Sequence, residues 1–510
     1  MQLDAQNIED GTVLDADICI IGAGPAGISL AQEFVSHSAK VVLLESGGSN
    51  AEPWTQRLND GLVVGTAYAG LQQTRHRQIG GTACIWNTPL NGDVGAKYVP
   101  LETCDLEPRT DSDYVGWPFE LNHLQSFYAR AQSVCGLGQY NYSGKQSHRL
   151  KTSFTLPDAK VRHSVFQFGS ASIFTENHLR AINSSDNIEL LFHATACAIK
   201  IQSQGHSMTT IEAGTLAGNR FRIMSGIVVL AAGAIENARL LLASREPGQD
   251  APGDRYGWVG RCFMEHPRDY SMSVIVNERD IYSKAAFYDR HTADDGTTVA
   301  GRVAVDPATV IRDGLPNASL TILPLVRRAS SRKSLLARAV DRVTRYKGGK
   351  SPGGYGWSQN PDPEAAFDGF RLLLNTEQWP HPENRVILGR MSDRLGVPKP
   401  EVYWQWRPED QRKLERVRAL FATELQAAGI GQIDIQSDVK PDPNAHHHAG
   451  TTRMHKSPQL GVVNSDGLVH GTDNVYVAGA SVFPTAGFAN PTLTIVALAL
   501  RLSDQLKQRL

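Results

Sequence analysis

Paired cysteines are missing from this chain. Its six cysteines, at 19, 84, 104, 135, 197 and 262, form no CxxC pair, no zinc-type spacing and no dense framework. That excludes a disulfide scaffold or a zinc ribbon, and reduced, mostly buried thiols are expected. A net field is missing too. Lys and Arg number 51 against 52 Asp and Glu, a formal charge of -1, so nothing draws the whole molecule to nucleic acid or an anionic membrane. Long apolar runs are absent: Ile227 to Ala234 and Leu493 to Leu500 are far shorter than the roughly 20 residues of a membrane span. Residues 1–17 show neither a secretory leader nor a twin-arginine pair, so export is not expected and a cytoplasmic location is. What remains is an ordinary globular composition, 41% hydrophobic and 20% charged over 510 residues. That length is too great for one core, and two domains that interleave in sequence are expected.

The N-terminal region carries the first positive signal. Ile18 to Ile21 is a short apolar run that ends in Gly22-Ala23-Gly24-Pro25-Ala26-Gly27; helix-forming residues follow to Phe34, then a second run at Val41 to Leu44. This order predicts strand, turn, helix, strand. Gly22 permits the tight turn, Gly24 lets backbone approach a pyrophosphate, and Gly27 lets the helix pack on the strand. Glu45 closes the second strand about 20 residues on, where a carboxylate accepts from both ribose hydroxyls and repels a 2′-phosphate. A GxGxxG alone has many accidental matches; the flanking elements and the acid give it weight. The turn does not say which dinucleotide is bound. There is no second GxGxxG and no redox-active cysteine pair, so a disulfide reductase is a poor fit.

Further segments carry chemistry. Arg77 to Asn87 (RQIGGTACIWN) sets paired glycines before small and aromatic residues, which suits backbone close to a flat ring. Val228 to Glu236 (VVLAAGAIE) is a buried strand opening at a glycine, and Val259 to Pro267 (VGRCFMEHP) follows. Near the C-terminus come His447 to Met454 (HHAGTTRM), Val477 to Pro484 (VAGASVFP) and Asn490 to Thr494 (NPTLT). Together these resemble the glucose-methanol-choline (GMC) oxidoreductase family, from about Asp17 to Leu506. Gly116 to Phe119 (GWPF) and Ala478 to Pro484 look most like the branch of pyranose oxidases and bacterial sugar or alcohol dehydrogenases.

The resemblance implies an α/β chain (α+β overall): a Rossmann-like FAD-binding domain and a discontinuous substrate domain built on an antiparallel sheet. The expected division is 1–98, 191–266 and 441–510 for FAD, with 99–190 and 267–440 for substrate. The expected FAD contacts are Gly22, Gly24, Ala26, Gly27, Glu45, Ser46, Arg77, Gly80, Gly81, Thr82, Trp86, Asn87, Ala196, Ala232, Gly233, Gly479, Ala480, Asn490, Pro491 and Thr492. Pyranose oxidases carry a flavin-linked histidine immediately before the tryptophan; Ile85 stands there, which implies noncovalent FAD. Many members have an aspartate two residues before the serine of the Ala-Ser-Val segment. Gly479 stands here, leaving only backbone for a contact.

Oxidising an alcohol takes a base for the hydroxyl proton and an oriented donor for the oxygen. Neutral histidine suits the first task. The resemblance places the base at His447 and the donor at Asn490, whose amide would stabilise developing alkoxide charge. Asn490-Pro491 before Thr492 to Leu502 also reads as an N-cap, a proline at the first helical position and an amphipathic helix. The His446-His447-His448 run invites a metal; in an extended segment His447 faces away from the other two and no nearby Cys or acid completes a set, so none is expected. His266 reads as a packing residue. Tyr403 to Trp406 reads as a strand with both tryptophans on one face, in the core. The basic residues of 327–350 read as a solvated helix, with a membrane-surface role the weaker alternative. The expected partners are a small alcohol, as a sugar, glycoside or other polyol, and an electron acceptor, oxygen or a redox carrier. The alternative activity on such a fold is a lyase of the hydroxynitrile type, where FAD stays bound without turning over.

Overall fold

The computed structural model describes residues 1–90, 92–108, 114–144, 154–157, 159–201, 208–276, 280–327, 355–437 and 439–510. The basic stretch therefore lies outside the described residues, apart from Arg327. The first sheet holds β1 (Gln2–Asp4), β2 (Val13–Ile21), β3 (Val41–Leu44), β8 (Ile188–Phe192), β9 (Thr195–Ile201), β10 (Thr209–Gly214), β11 (Arg220–Leu230) and β20 (Val475–Val477), in the order β1-β8-β3-β2-β11-β10-β9, with β20 also on β11. Strands β1, β8, β3, β2, β11 and β20 run parallel, while β10 and β9 are antiparallel. The apolar runs read from the sequence are the buried ends of β2, β3 and β11, covered on both faces as parallel strands require.

The second sheet is antiparallel: β5 (Thr88–Leu90), β6 (Asp93–Tyr98), β7 (Val161–Ser170), β12 (Arg268–Ile275), β13 (Arg290–Thr292), β14 (Thr298–Val305), β15 (Ala318–Val326), β16 (Phe367–Thr376) and β19 (Gln432–Ile435). A third, small sheet joins β4 (Leu62–Gly65), β17 (Arg385–Ser392) and β18 (Pro398–Trp404). The expected fold class, a parallel Rossmann-like sheet beside an antiparallel one, is what the chain adopts. Strand pairing crosses the expected boundaries: β4, in the first expected FAD segment, pairs β18 of the expected substrate domain. Residues 88–98 belong to the antiparallel sheet, because β6 pairs β7 across 95–98. Residues 188–190 belong to the parallel sheet, where β8 pairs both β1 and β3.

Five helices position the site: α1 (Pro25–Gln32), α2 (Gln125–Val134), α3 (Ala234–Ala243), α4 (Pro408–Ala427) and α5 (Thr492–Lys507). Helix α5 packs on α1 and α2, burying Leu493, Val496, Ala497 and Leu500. Arg418 of α4 grips Asp269 of β12 through two hydrogen bonds, at 2.8 and 2.9 Å, with both side chains buried. That bidentate pairing locks the helix to the antiparallel sheet. The tryptophan pair departs from expectation: β18 ends at Trp404, which is buried and donates from Nε1 to Gln378 at 2.8 Å, while Trp406 lies beyond it and bonds Gln411.

Gly27 shows why the first turn is so tight. A Cβ added there would stand 1.9 Å from the Gly22 carbonyl oxygen and 3.3 Å from Ile20 Cγ2. Gly27→Ala is therefore expected to destabilise the protein by about 2 kcal/mol or more through overpacking, read as a lower urea midpoint. An unchanged midpoint would contradict this contact.

Candidate active site

Three helix N-termini open onto one cavity of about 630 Å³. Its wall includes Gly24 at the start of α1, Gly233 at the start of α3 and Pro491 at the start of α5, and none of these ends carries a side-chain cap. Each offers uncommitted backbone N–H groups and the positive end of a helix dipole, a ready site for phosphate or a developing anion. Glycines shape the space. At Gly233 and Gly479, with φ of 84° and 105°, an added Cβ would meet no protein atom within 4 Å, so these positions border open volume. The two glycine motifs also meet backbone to backbone: a Cβ on Gly81 would lie 2.8 Å from Gly24 Cα, and the Gly80 N–H donates to the Ala23 carbonyl at 2.8 Å. A flat, phosphate-bearing dinucleotide fits this cradle.

Nearly all of the positions expected at the cofactor line the cavity; Gly27 and Gly80 do not. Those two act behind the wall, packing backbone. Glu45 is buried and accepts from the Ala23 and Gly47 N–H groups at 3.0 and 2.9 Å, leaving lone pairs toward the cavity. Burial pushes its carboxyl up, and these two bonds oppose the shift. Arg77 is not a free cation: it reaches Glu236 at 2.7 Å and Ser46 Oγ at 2.8 Å. Trp86 is held edge-on by Tyr98 and Phe174, with ring centroids 6.0 and 6.1 Å away.

His447 and Asn490, distant in sequence, meet on the cavity wall, with the Asn490 amide 3.2 Å from His447 Nε2. Asn490 is not the cap it was expected to be. Pro491 occupies that place, because its carbonyl accepts the first helical bond from Ile495. The other side of the His447 ring meets His266, Nδ1 to Nδ1 at 3.0 Å. His266 thus touches the pair instead of merely packing. With the amide nitrogen of Asn490 donating to Nε2, His447 carries its proton on Nδ1 and gives it to His266.

Behind both rings sits Glu265, fully buried. Its Oε2 accepts the backbone N–H groups of His447 at 2.9 Å and His266 at 3.2 Å, and its Oε1 takes the Tyr68 hydroxyl. The same hydroxyl meets His448 Nε2 at 2.8 Å. The histidine run is not extended, since His446 has φ of 61°. The missing acid is also present: ligand atoms of Glu265, His446 and His448 lie within 4.8 Å of one another. Sequence reading could not supply Glu265, which comes from a segment far away in the chain. Two of these three groups are already joined through Tyr68.

Desolvation holds the buried histidines neutral. It lowers His266 to about 4 and puts His447 and His448 well below the ordinary histidine value, with neighbouring His266, Lys97 and Arg268 adding to the effect on His447 and Arg75 to that on His448. Burial pushes Glu265 up to about 7. Below pH 6.5 the unfolded chain protonates three histidines that the folded chain keeps neutral, so folding loses stability as pH falls. Glu265, protonated only when folded, cancels one of the three. The cluster is expected to contribute roughly 2 kcal/mol per pH unit between about pH 5 and 6.5. The urea midpoint should drop across that window, less steeply in His448→Gln; equal slopes would count against this assignment.

A model of the C-terminal part of GMC oxidoreductases matches residues 380–499. The chain is 24% identical to 6'''-hydroxyparomomycin C oxidase of Streptomyces lividus, over 97% of this chain and 92% of that one. It is 22% identical to the fructose dehydrogenase large subunit of Gluconobacter japonicus, over 96% and 97%. In three dimensions it superposes on formate oxidase of Aspergillus oryzae RIB40 with a TM-score of 0.53 at 15% identity, covering 98% and 99% of the two chains. Likeness along almost the whole length, with the GMC oxidoreductase match over the segment that carries His447 and Asn490, supports a GMC-type oxidoreductase that acts on CH–OH groups, for which FAD is the expected cofactor.

Proposed function

We propose that this enzyme oxidises a hydroxyl group of a sugar, glycoside or similar polyol to a carbonyl, with His447 as the base and Asn490 as the oxygen donor. The observation that carries it is the contact of His447 Nε2 with the Asn490 amide beside the start of α5. A hydroxyl oxygen placed between them gives its proton to Nε2 and accepts from the amide, so charge that develops on oxygen is met at once. The proton on Nδ1, shared with His266, keeps Nε2 free to accept. When bound, FAD supplies the acceptor for the hydride that leaves the carbon. Gly24 and the start of α1 would hold its pyrophosphate, Glu45 its ribose, and the backbone N–H of Thr492 would face the ring. Ile85, on the cavity wall, offers no atom for a covalent link, which supports noncovalent FAD. The electron acceptor that follows is oxygen or a redox carrier. The relatives named as acting on an aminoglycoside and on fructose support a polyol substrate. No metal is part of this reading.

Purified enzyme should be yellow and bleach when mixed anaerobically with its alcohol. His447→Ala is expected to slow bleaching by about 100-fold to 10,000-fold while flavin stays bound; an unchanged rate would falsify the base assignment. Carbonyl release from a cyanohydrin, with a flavin spectrum that no alcohol changes, would replace the oxidation with lyase chemistry.

The depressed His447 also fixes the sign of the pH response. Its acidic limb should lie below pH 6.5, so protonation of His447 does not slow reduction between pH 8 and 6.5. His266→Asn is expected to slow reduction and move that limb, whereas a purely structural residue would change stability and leave the limb in place. Stopped-flow absorbance across pH measures both.

A further inference from the structure

The wall of the same cavity holds a cation that, among the described residues, no counter-charge meets. Lys97 lies in β6, where Gly95, Ala96 and Lys97 all border the cavity. Its ammonium stands 4.6 Å from the centre of the Phe166 ring. Among the described residues no carboxylate pairs with it. Burial brings the amine down to about 8, and the charges that act on it, Arg268 and Arg302, both positive, add to that shift.

Its surroundings are donors as well. Arg268 borders the cavity; its Nη2 is committed to Asp442 at 2.6 Å and the Asn444 carbonyl at 2.8 Å, while its Nε is buried without a partner. Asn375, opposite Arg268 in the pairing of β12 with β16, also borders the cavity and has a buried, unpartnered Nδ2. Arg302 stands behind them, between the rings of Phe166 and Phe488 at 4.6 and 4.4 Å. Among the described residues Asp442 answers Arg268, and Glu102, 3.8 Å from Arg302, answers it in part together with Asp105. Enclosing a cation without a counter-ion is costly, and a ligand that brings an anion removes that cost. The cations sit within electrostatic reach of His447, whose imidazole is influenced by both Lys97 and Arg268. An anion held there is thus close to the reacting hydroxyl.

We propose that the alcohol oxidised by this enzyme is itself acidic, a polyol bearing a carboxylate or phosphate group, and that Lys97, with Arg268 and Asn375 beside it, receives that group. This rests on the oxidation assigned to His447. Neutral sugars leave the lysine unanswered, and amino sugars bring a second cation to it.

The test uses FAD-loaded enzyme and two readouts. The first is anaerobic flavin reduction by a matched series: glucose, glucosamine, gluconate, glucuronate and glucose 6-phosphate. An acidic member should be the best substrate, with carboxylates against the phosphate deciding which anion fits. Lys97→Met should raise its KM and reduce the preference for acidic over neutral members by roughly 30-fold or more, with partial rescue in Lys97→Arg. The second is equilibrium titration of the flavin absorbance with malonate and inorganic phosphate, which carry no oxidisable hydroxyl. At least one should bind the wild type and not Lys97→Met. A neutral or amino sugar as best substrate, or no binding of either anion, overturns the proposal. So does Lys97→Met slowing reduction by every alcohol alike, since that assigns the lysine to the cofactor. Anion binding that persists while no alcohol bleaches the flavin would instead overturn the oxidation reading.

Discussion

A single buried carboxylate sets the geometry on which the site depends. Glu265 accepts the N–H of its own neighbour, His266, and that of His447 from the far end of the chain. Two segments nearly 200 residues apart are thereby held in one register, reinforced by the reciprocal bonds between Met264 and Ala449. Because the clamp grips backbone, both imidazoles are placed before any ligand arrives. A group fixed by hydrogen bonds to its own main chain reorganises little during reaction, and that is where preorganised sites gain their advantage.

The second constraint is electrostatic. Helices α1, α3 and α5 come from the beginning, middle and end of the sequence, yet their N-termini open on one cavity. None is closed by a side-chain cap. Backbone dipoles can therefore meet phosphate at one place and a reduced ring at another without any charged side chain being added. The arginines nearby are turned to another task. Arg75, Arg77 and Arg239 surround Glu236, which they hold well into its ionised form against the effect of burial.

Much of this was legible locally. The run Ile18 to Ile21, the glycines at 22, 24 and 27 and the acid at 45 appear where strand, turn and helix chemistry requires them, because a tight strand-to-helix turn tolerates few side chains. The start of α5 was placed within one residue, Pro491 capping where Asn490 was expected. The strand proposed for Tyr403 to Trp406 ended two residues early. Strand pairing across the expected domain limits, at 62–65, 88–98 and 188–190, was not legible, since pairing is a choice of partner that an isolated strand does not declare.

The sequence by itself pointed to a dinucleotide site, because a tight glycine turn imposes its chemistry over a short stretch, while the resemblance to a family proposed His447 and Asn490 as the reacting pair. The tertiary structure alone decided who stands beside them. His266 touches His447, Glu265 closes the group with His446 and His448, and Lys97 borders the cavity, where among the described residues the charges that act on it are other cations. Each of these depends on strands and loops that are far apart in the chain meeting in space. Burial then sets the charge: the same histidine that titrates near neutrality in water stays neutral here because its surroundings exclude the solvent that would stabilise its cation.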